Sequence, residues 1–141
     1  MGAATVLMAS NMNLPSNVAG ILADCPYSSP AEILKAVCRK MRIPVGIAYP
    51  FAVLGAMVYG HFCIWRSSAV KSVARTQIPV MLVHGDDDRL VPDAMSKRIF
   101  EACKSEKVLL SVKNAGHGLS YCVDAKAYEK AVQDFIDRVM V

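Results

Sequence analysis

The stretch of sequence that decides the fold is Ile78–Pro92, which reads IPVMLVHGDDDRLVP. Its first part, Ile78–His84, is rich in apolar and β-branched residues, and this pattern predicts a strand buried on both faces. Three consecutive carboxylates follow at Asp86–Asp88. Because open α/β sheets bind their ligands beyond the carboxyl ends of their strands, this loop is a candidate functional site.

The segments on both sides of this strand alternate between helical and strand patterns. They predict helices at 1–10, 30–41, 93–104 and 125–139, and strands at 17–25 and 108–112. Helices that alternate with strands in this way are typical of a parallel sheet, because each crossover helix returns the chain to the same edge. We therefore predict an α/β fold with about three parallel strands and flanking helices.

The segment 43–65 contains no Asp, Glu, Lys or Arg over a length that could cross a bilayer. Pro44 and Pro50, together with several glycines, are expected to interrupt a helix here, and basic residues on both sides favour no orientation. A membrane span is therefore not favoured. We predict an apolar helical cap or lid at 43–65, inserted into one domain whose core is 1–42 and 66–141.

The composition excludes several classes of protein. Hydrophobic residues make up 54% of the chain and charged residues 20%, so disorder is not expected. The net charge of +4 comes from scattered basic residues without interleaved aromatics, so no nucleic-acid partner is predicted. The five cysteines form no CxxC pair, so we predict neither disulfides nor a metal site, no cofactor, and a reducing, cytoplasmic location.

A second polar loop follows the predicted strand at 108–112. It reads KNAGHG, and its histidine, His117, lies between two glycines that allow a sharp bend. A loop histidine on its own is more often a surface residue than a catalytic one. For Asp86 and Asp87 the simpler interpretation is likewise a polar turn.

Two motifs together make the functional interpretation of these loops more specific. The segment HGDDDRLVP resembles the HGxxDxxVP acid loop of α/β-hydrolases, and NAGHGLSY resembles the histidine loop of the same superfamily. The resemblance implies that Asp88 is the catalytic acid and His117 the general base. In that arrangement Asp88 orients the imidazole and stabilises its protonated form, while the ring takes the proton of a nucleophile.

The first residues, MGAA, resemble the second half of the serine elbow of this superfamily. The resemblance implies a C-terminal half of an α/β-hydrolase, with the nucleophilic serine one position before Met1 and the backbone nitrogen of Met1 in the oxyanion hole. No GxSxG turn occurs in the chain. The other candidate nucleophiles do not lie in such a turn and are not expected to replace the serine: Ser10, Ser28, Ser29, Ser120 and Cys122.

These observations predict a serine hydrolase-type fragment that is inactive alone. The complete protein is expected to hydrolyse a small hydrophobic ester or amide through an acyl-enzyme, since the cap segment is apolar. The alternative is a non-catalytic interaction module. In that case an exposed sheet edge would mediate self-association or pairing with the missing N-terminal half.

Overall fold

The computed structural model describes residues 1–140. In chain order the elements are α1 Gly2–Ala9, β1 Ile21–Asp24, α2 Pro30–Lys40, α3 Val45–Val58, α4 Ala69–Val73, β2 Val80–Gly85, α5 Asp93–Ala102, β3 Lys107–Val112, α6 Ser120–Val123 and α7 Ala125–Val139. Every predicted helix and strand is present. The short helix α6 was not predicted.

The three strands form one parallel sheet with β2 in the centre. Ile21 of β1 pairs with Val80 of β2, and Val80 in turn pairs with Lys107 of β3. All six residues of β2 are buried, because the strand has neighbours on both edges and helices on both faces. The predicted parallel α/β architecture is confirmed.

Successive side chains of β2 point to opposite faces of the sheet and join two separate clusters. Val80 and Leu82 pack with residues of α1, α4 and α5, while Met81 and Val83 pack against Phe135 of α7. Helices therefore cover both faces of the sheet. The loops that follow the carboxyl ends of the strands are not covered in this way and can form a site.

Strand β1 is shorter than predicted, because it begins at Ile21 and not at Asn17. Its neighbour β2 begins at Val80, and the backbone N–H of Ile21 already donates to the carbonyl of Pro79. Residues 17–20 have no strand beside them at this end of the sheet. Gly20 instead lies close under the ring of Phe135, where an added Cβ would be 3.1 Å from the ring carbons.

Helix α3 runs without a break from Val45 to Val58, although Pro50 was expected to interrupt it. Pro50 lies beyond the first turn of the helix and so removes one backbone hydrogen bond, and here the helix continues past that loss. None of the fourteen residues of α3 is buried. No helix within residues 1–140 is both long enough and apolar enough to cross a membrane.

Candidate functional site

The two polar loops after β2 and β3 lie against each other at the carboxyl edge of the sheet. The backbone N–H of Asp86 donates to the carbonyl of Val112, and that of Asp87 donates to the carbonyl of Ala115, both at 3.1 Å. The Asp86 carboxylate accepts the N–H of Asn114 at 2.6 Å. Asp86 therefore ties the aspartate loop to the histidine loop, a role that the sequence alone did not reveal.

Gly85 allows these two loops to approach so closely. A Cβ built on Gly85 would lie 2.2 Å from the carbonyl oxygen of Ala115 and 2.6 Å from its carbonyl carbon. Both contacts are with backbone, so a side chain at position 85 could be accommodated only if the histidine loop moved.

Asp88 is held by three donors in a buried position. Its Oδ1 atom accepts the backbone N–H groups of Leu90 and Val91, each at 2.8 Å, and its Oδ2 atom lies 2.7 Å from Nδ1 of His117. Burial alone would raise the pKa of this carboxyl. The bonds from Val91, His117 and Leu90 outweigh it and hold the pKa below its usual value of 3.8, so the group is ionised at neutral pH.

His117 is oriented by this carboxylate. A carboxylate only accepts hydrogen bonds, so Nδ1 of the ring must carry the proton, and in the neutral ring Nε2 then has a free lone pair. Within residues 1–140, Nε2 has no hydrogen-bond partner. The side chain is 38% exposed, so an incoming group can reach it. An imidazole held in this way can take a proton at Nε2 while the carboxylate stabilises the positive charge.

His84 contacts the aspartate loop from the buried strand β2. From the sequence, this residue was interpreted only as part of a motif. The buried ring places Nε2 2.9 Å from the carbonyl oxygen of Val91 and Nδ1 2.5 Å from the hydroxyl of Ser96. The same Nε2 lies 3.3 Å from Oδ2 of Asp88. The HG pair at the end of β2 was the available signal, because a histidine within a buried strand needs polar partners.

An apolar trough begins at His117. A cavity of about 140 Å³ is lined by His117 together with Met1, Cys25, Tyr27, Ile33, Leu90 and Val91. A neighbouring groove of about 330 Å³ shares Met1, Tyr27 and Ile33 with it and extends to Pro30, Leu34, Val37 and Phe62. The trough can therefore accept an elongated apolar group whose end lies beside the imidazole.

Of the three site residues inferred from the sequence, His117 and Met1 line this cavity, and Asp88 lies behind His117. Asp88 and His117 are hydrogen-bonded, and Met1, which precedes α1, forms part of the cavity wall with its sulfur 3.9 Å from the hydroxyl of Tyr27. The role of the Met1 nitrogen in an oxyanion hole stays a prediction. The substitute nucleophiles rejected above do not line the cavity: Ser10, Ser28, Ser29, Ser120 and Cys122.

Cys25 is a member of the site that sequence reasoning missed. It follows β1 with a positive φ of 50°, and its sulfur accepts the N–H of Gly118 at 3.4 Å. Burial is the main cause that raises the pKa of this thiol to about 12, so it is neutral and a poor nucleophile at neutral pH. Cys25, Asp88 and His117 place ligand atoms within 4.8 Å of one another and could hold a metal ion, although the Asp88–His117 hydrogen bond uses two of those atoms.

Comparisons with known proteins find relatives of this chain. The TAP-like protein family matches residues 61–139, which is more than half of the chain. The protein YqkD of Bacillus subtilis is 27% identical over 140 residues, and the chain spans about half the length of that relative, 46%.

Two solved structures show the same fold. An esterase domain from Rhodothermus marinus has a TM-score of 0.67 at 19% identity, and 97% of this chain covers 56% of it. An acylaminoacyl peptidase from Pyrococcus horikoshii has a TM-score of 0.68 at 13% identity, with 98% of this chain covering 22% of that one. The fold thus corresponds to a C-terminal part of the α/β-hydrolase architecture.

The close approach at Gly85 leads to a mutational prediction. Gly85→Ala is expected to lower the free energy of unfolding by about 2 kcal/mol or more, because the new methyl group overlaps backbone that cannot move freely. The matched control is Gly46→Ala in α3, where nothing lies within 4 Å of the added carbon and better helix propensity should stabilise by up to about 1 kcal/mol. Urea unfolding measures both changes, and equal stability of the two variants would contradict the prediction.

Proposed function

Because this chain belongs to the TAP-like family of the α/β-hydrolase superfamily, we propose that it carries the acid and base of a serine hydrolase. The reaction is hydrolysis of an ester or amide through an acyl-enzyme. The observation that supports it most is the 2.7 Å hydrogen bond from Nδ1 of His117 to buried Asp88, which leaves Nε2 available beside an apolar trough. This is the arrangement that a general base needs.

The nucleophile in this proposal is a serine in sequence that precedes Met1 in the complete protein. The chain contains no GxSxG turn, and it spans about half the length of its curated relatives. The neutral thiol of Cys25, whose pKa is raised to about 12, is a poor substitute. On its own, the 141-residue chain is expected to be inactive.

The proposed reaction has two halves. Nε2 of His117 takes the serine proton as the serine oxygen bonds to the substrate carbonyl carbon, and the carbonyl oxygen becomes an oxyanion. The imidazolium then gives its proton to the leaving alkoxide or amine as the carbon–oxygen or carbon–nitrogen bond breaks. Water repeats the sequence on the acyl-enzyme and releases the acid. Throughout, Asp88 stays ionised and orients the His117 ring. In this proposal the backbone N–H of Met1 donates a hydrogen bond to the oxyanion.

The substrate class follows from the trough. Its walls are largely apolar, from Ile33 and Leu90 near His117 to Val37 and Phe62 at the far end. Burial of methylene groups there is favourable by about 0.8 kcal/mol for each group. We therefore propose that the substrate carries a hydrophobic acyl or alkyl chain next to the scissile bond.

A reconstituted enzyme tests the catalytic proposal. The chain is joined to the N-terminal half of a relative whose sequence ends in GxS, and hydrolysis of a p-nitrophenyl ester is measured. We expect Asp88→Asn and His117→Ala to lower kcat about 10³-fold or more, with little change in KM. Asp87→Asn is the control, because its side chain is 57% exposed and, among residues 1–140, pairs only with Arg89. Full activity in both site variants would refute the assignment.

A second candidate function, assembly through the sheet edge, is favoured by the surroundings of β1. Grooves of about 310 and 500 Å³ flank this strand, one beside Val6 and Ala9 of α1 and the other beside Phe135 and Val139 of α7, and Leu22 lines both. Alternate side chains of an added strand would point to the two faces of the sheet and fill both grooves. The partner would be a strand with apolar residues on both faces.

Sedimentation velocity tests this assembly. The chain alone is expected to form dimers or larger species whose fraction grows with concentration, because an unpaired apolar edge favours strand addition. Leu22→Lys should shift the distribution to monomer, whereas Leu119→Lys, at a more exposed leucine of the histidine loop, should not. A monomeric wild-type chain at all concentrations would contradict this function without affecting the catalytic proposal.

A further inference from the structure

Helix α3 and the residues around it expose an unusual amount of apolar surface. Of the twenty large apolar side chains that are exposed within residues 1–140, ten lie between positions 41 and 65. Four of them, spaced by four, three and four positions, follow one side of α3, and we call them the apolar face: Ile47, Phe51, Leu54 and Val58. They are between 54% and 70% exposed. A patch of this kind marks a surface that binds something.

The charges around the apolar face indicate what it binds. Between Cys25 and Gly85 the only acidic residue is Glu32, whose carboxylate is bonded to Arg98. The same segment contains seven basic residues: Lys35, Arg39, Lys40, Arg42, Arg66, Lys71 and Arg75. The chain therefore enters and leaves the uncharged stretch 43–65 through basic positions.

Three arginines that flank the stretch 43–65 in the sequence are available to an anionic partner. Arg39 and Arg42 precede α3, Arg66 follows it, and all three are exposed. Among residues 1–140 no carboxylate forms a salt bridge with any of them. Their long side chains could place the guanidinium groups at a phosphate layer while the helix lies deeper.

Three aromatic residues extend the exposed surface beyond the end of α3. Tyr59 is 88% exposed, Phe62 47% and Trp65 52%. Tyrosine and tryptophan combine an apolar ring with one polar group, and they are enriched where hydrocarbon meets lipid headgroups. Aromatic and aliphatic groups bordered by arginines match such an interface.

We propose that α3 and the residues that follow it bind the surface of a bilayer containing anionic lipids. The helix lies in the plane of the membrane with the apolar face in the outer acyl region and Arg39, Arg42 and Arg66 at the headgroup phosphates. Its fourteen residues span about 21 Å, too little to cross a hydrocarbon core of about 30 Å. A second copy of the chain is a poorer partner, because its own arginines would face these three.

This surface also continues into the trough that begins at His117. Phe62 belongs to the exposed surface and lines the far end of the groove that Tyr27 and Ile33 share with the His117 cavity. A lipid acyl chain could therefore enter the trough from the bilayer. This extension to lipid-derived substrates rests on the proposed hydrolase function, whereas membrane binding does not.

Vesicle flotation tests the proposal with the full chain, because bound protein rises with the vesicles while aggregates do not. Vesicles of phosphatidylcholine alone are compared with vesicles that also contain phosphatidylglycerol. Trp65 is the single tryptophan of the chain and reports on the interface directly. We expect flotation with the anionic vesicles, a shift of Trp65 emission to shorter wavelength, and quenching by lipids with brominated acyl chains.

Two pairs of substitutions separate the apolar and the charged contributions. Phe51→Gln with Leu54→Gln should weaken vesicle binding at least about 10-fold, through loss of buried apolar area. Leu119→Gln with Val123→Gln, at exposed apolar positions elsewhere, is the control.

Arg39→Gln with Arg42→Gln should weaken binding to anionic vesicles roughly 30-fold. Lys113→Gln with Lys126→Gln is the control for charge, and circular dichroism verifies that each variant is folded.

Several results would overturn the proposal. These are the absence of flotation with anionic vesicles, equal flotation with neutral ones, or wild-type binding by the Phe51 and Leu54 variant. A dimer that depends on Phe51 and Leu54 in the absence of flotation would assign the apolar face to a second copy. Asp88→Asn should float like the wild-type chain, so a failure of the hydrolase proposal remains distinguishable from a failure of this one.

Discussion

The hydrogen bond between Nδ1 of His117 and Oδ2 of Asp88 is the interaction on which the site depends. It joins two loops that are 29 positions apart in sequence, and it forms because β2 and β3 are parallel neighbours whose carboxyl ends meet at one edge. Asp86 and Gly85 bring the loops together, one through a bond to Asn114 and the other by leaving room for the Ala115 backbone. The chemistry at Nε2 follows from this fixed ring.

A buried carboxylate is costly unless donors replace the water it has lost. Two backbone N–H groups and the His117 ring supply these donors, and together they keep the pKa of Asp88 low although burial acts in the opposite direction. The negative charge is thus retained at neutral pH, where it can stabilise an imidazolium.

Part of this arrangement could be predicted from the sequence, because the strand pattern of β2 is a local signal and the two loop motifs that contain Asp88 and His117 resemble those of α/β-hydrolases. Other contacts between distant segments could not be predicted. Cys25 reaches the site from a different loop, His84 acts through Ser96 and Val91, and β1 is short because β2 begins only after Pro79. Pattern rules also overestimated the effect of Pro50, since α3 continues through it.

The most direct test of the central claim is the tautomeric state of His117, measured by nitrogen-15 NMR of the imidazole ring at a pH where the ring is neutral. The structure predicts a proton on Nδ1 and a bare Nε2, and Asp88→Asn should abolish this preference. His84 is an internal reference, because its Nε2 donates to the Val91 carbonyl and must carry the proton. A proton on Nε2 of His117, or a mixture of tautomers unaffected by Asp88→Asn, would contradict the account.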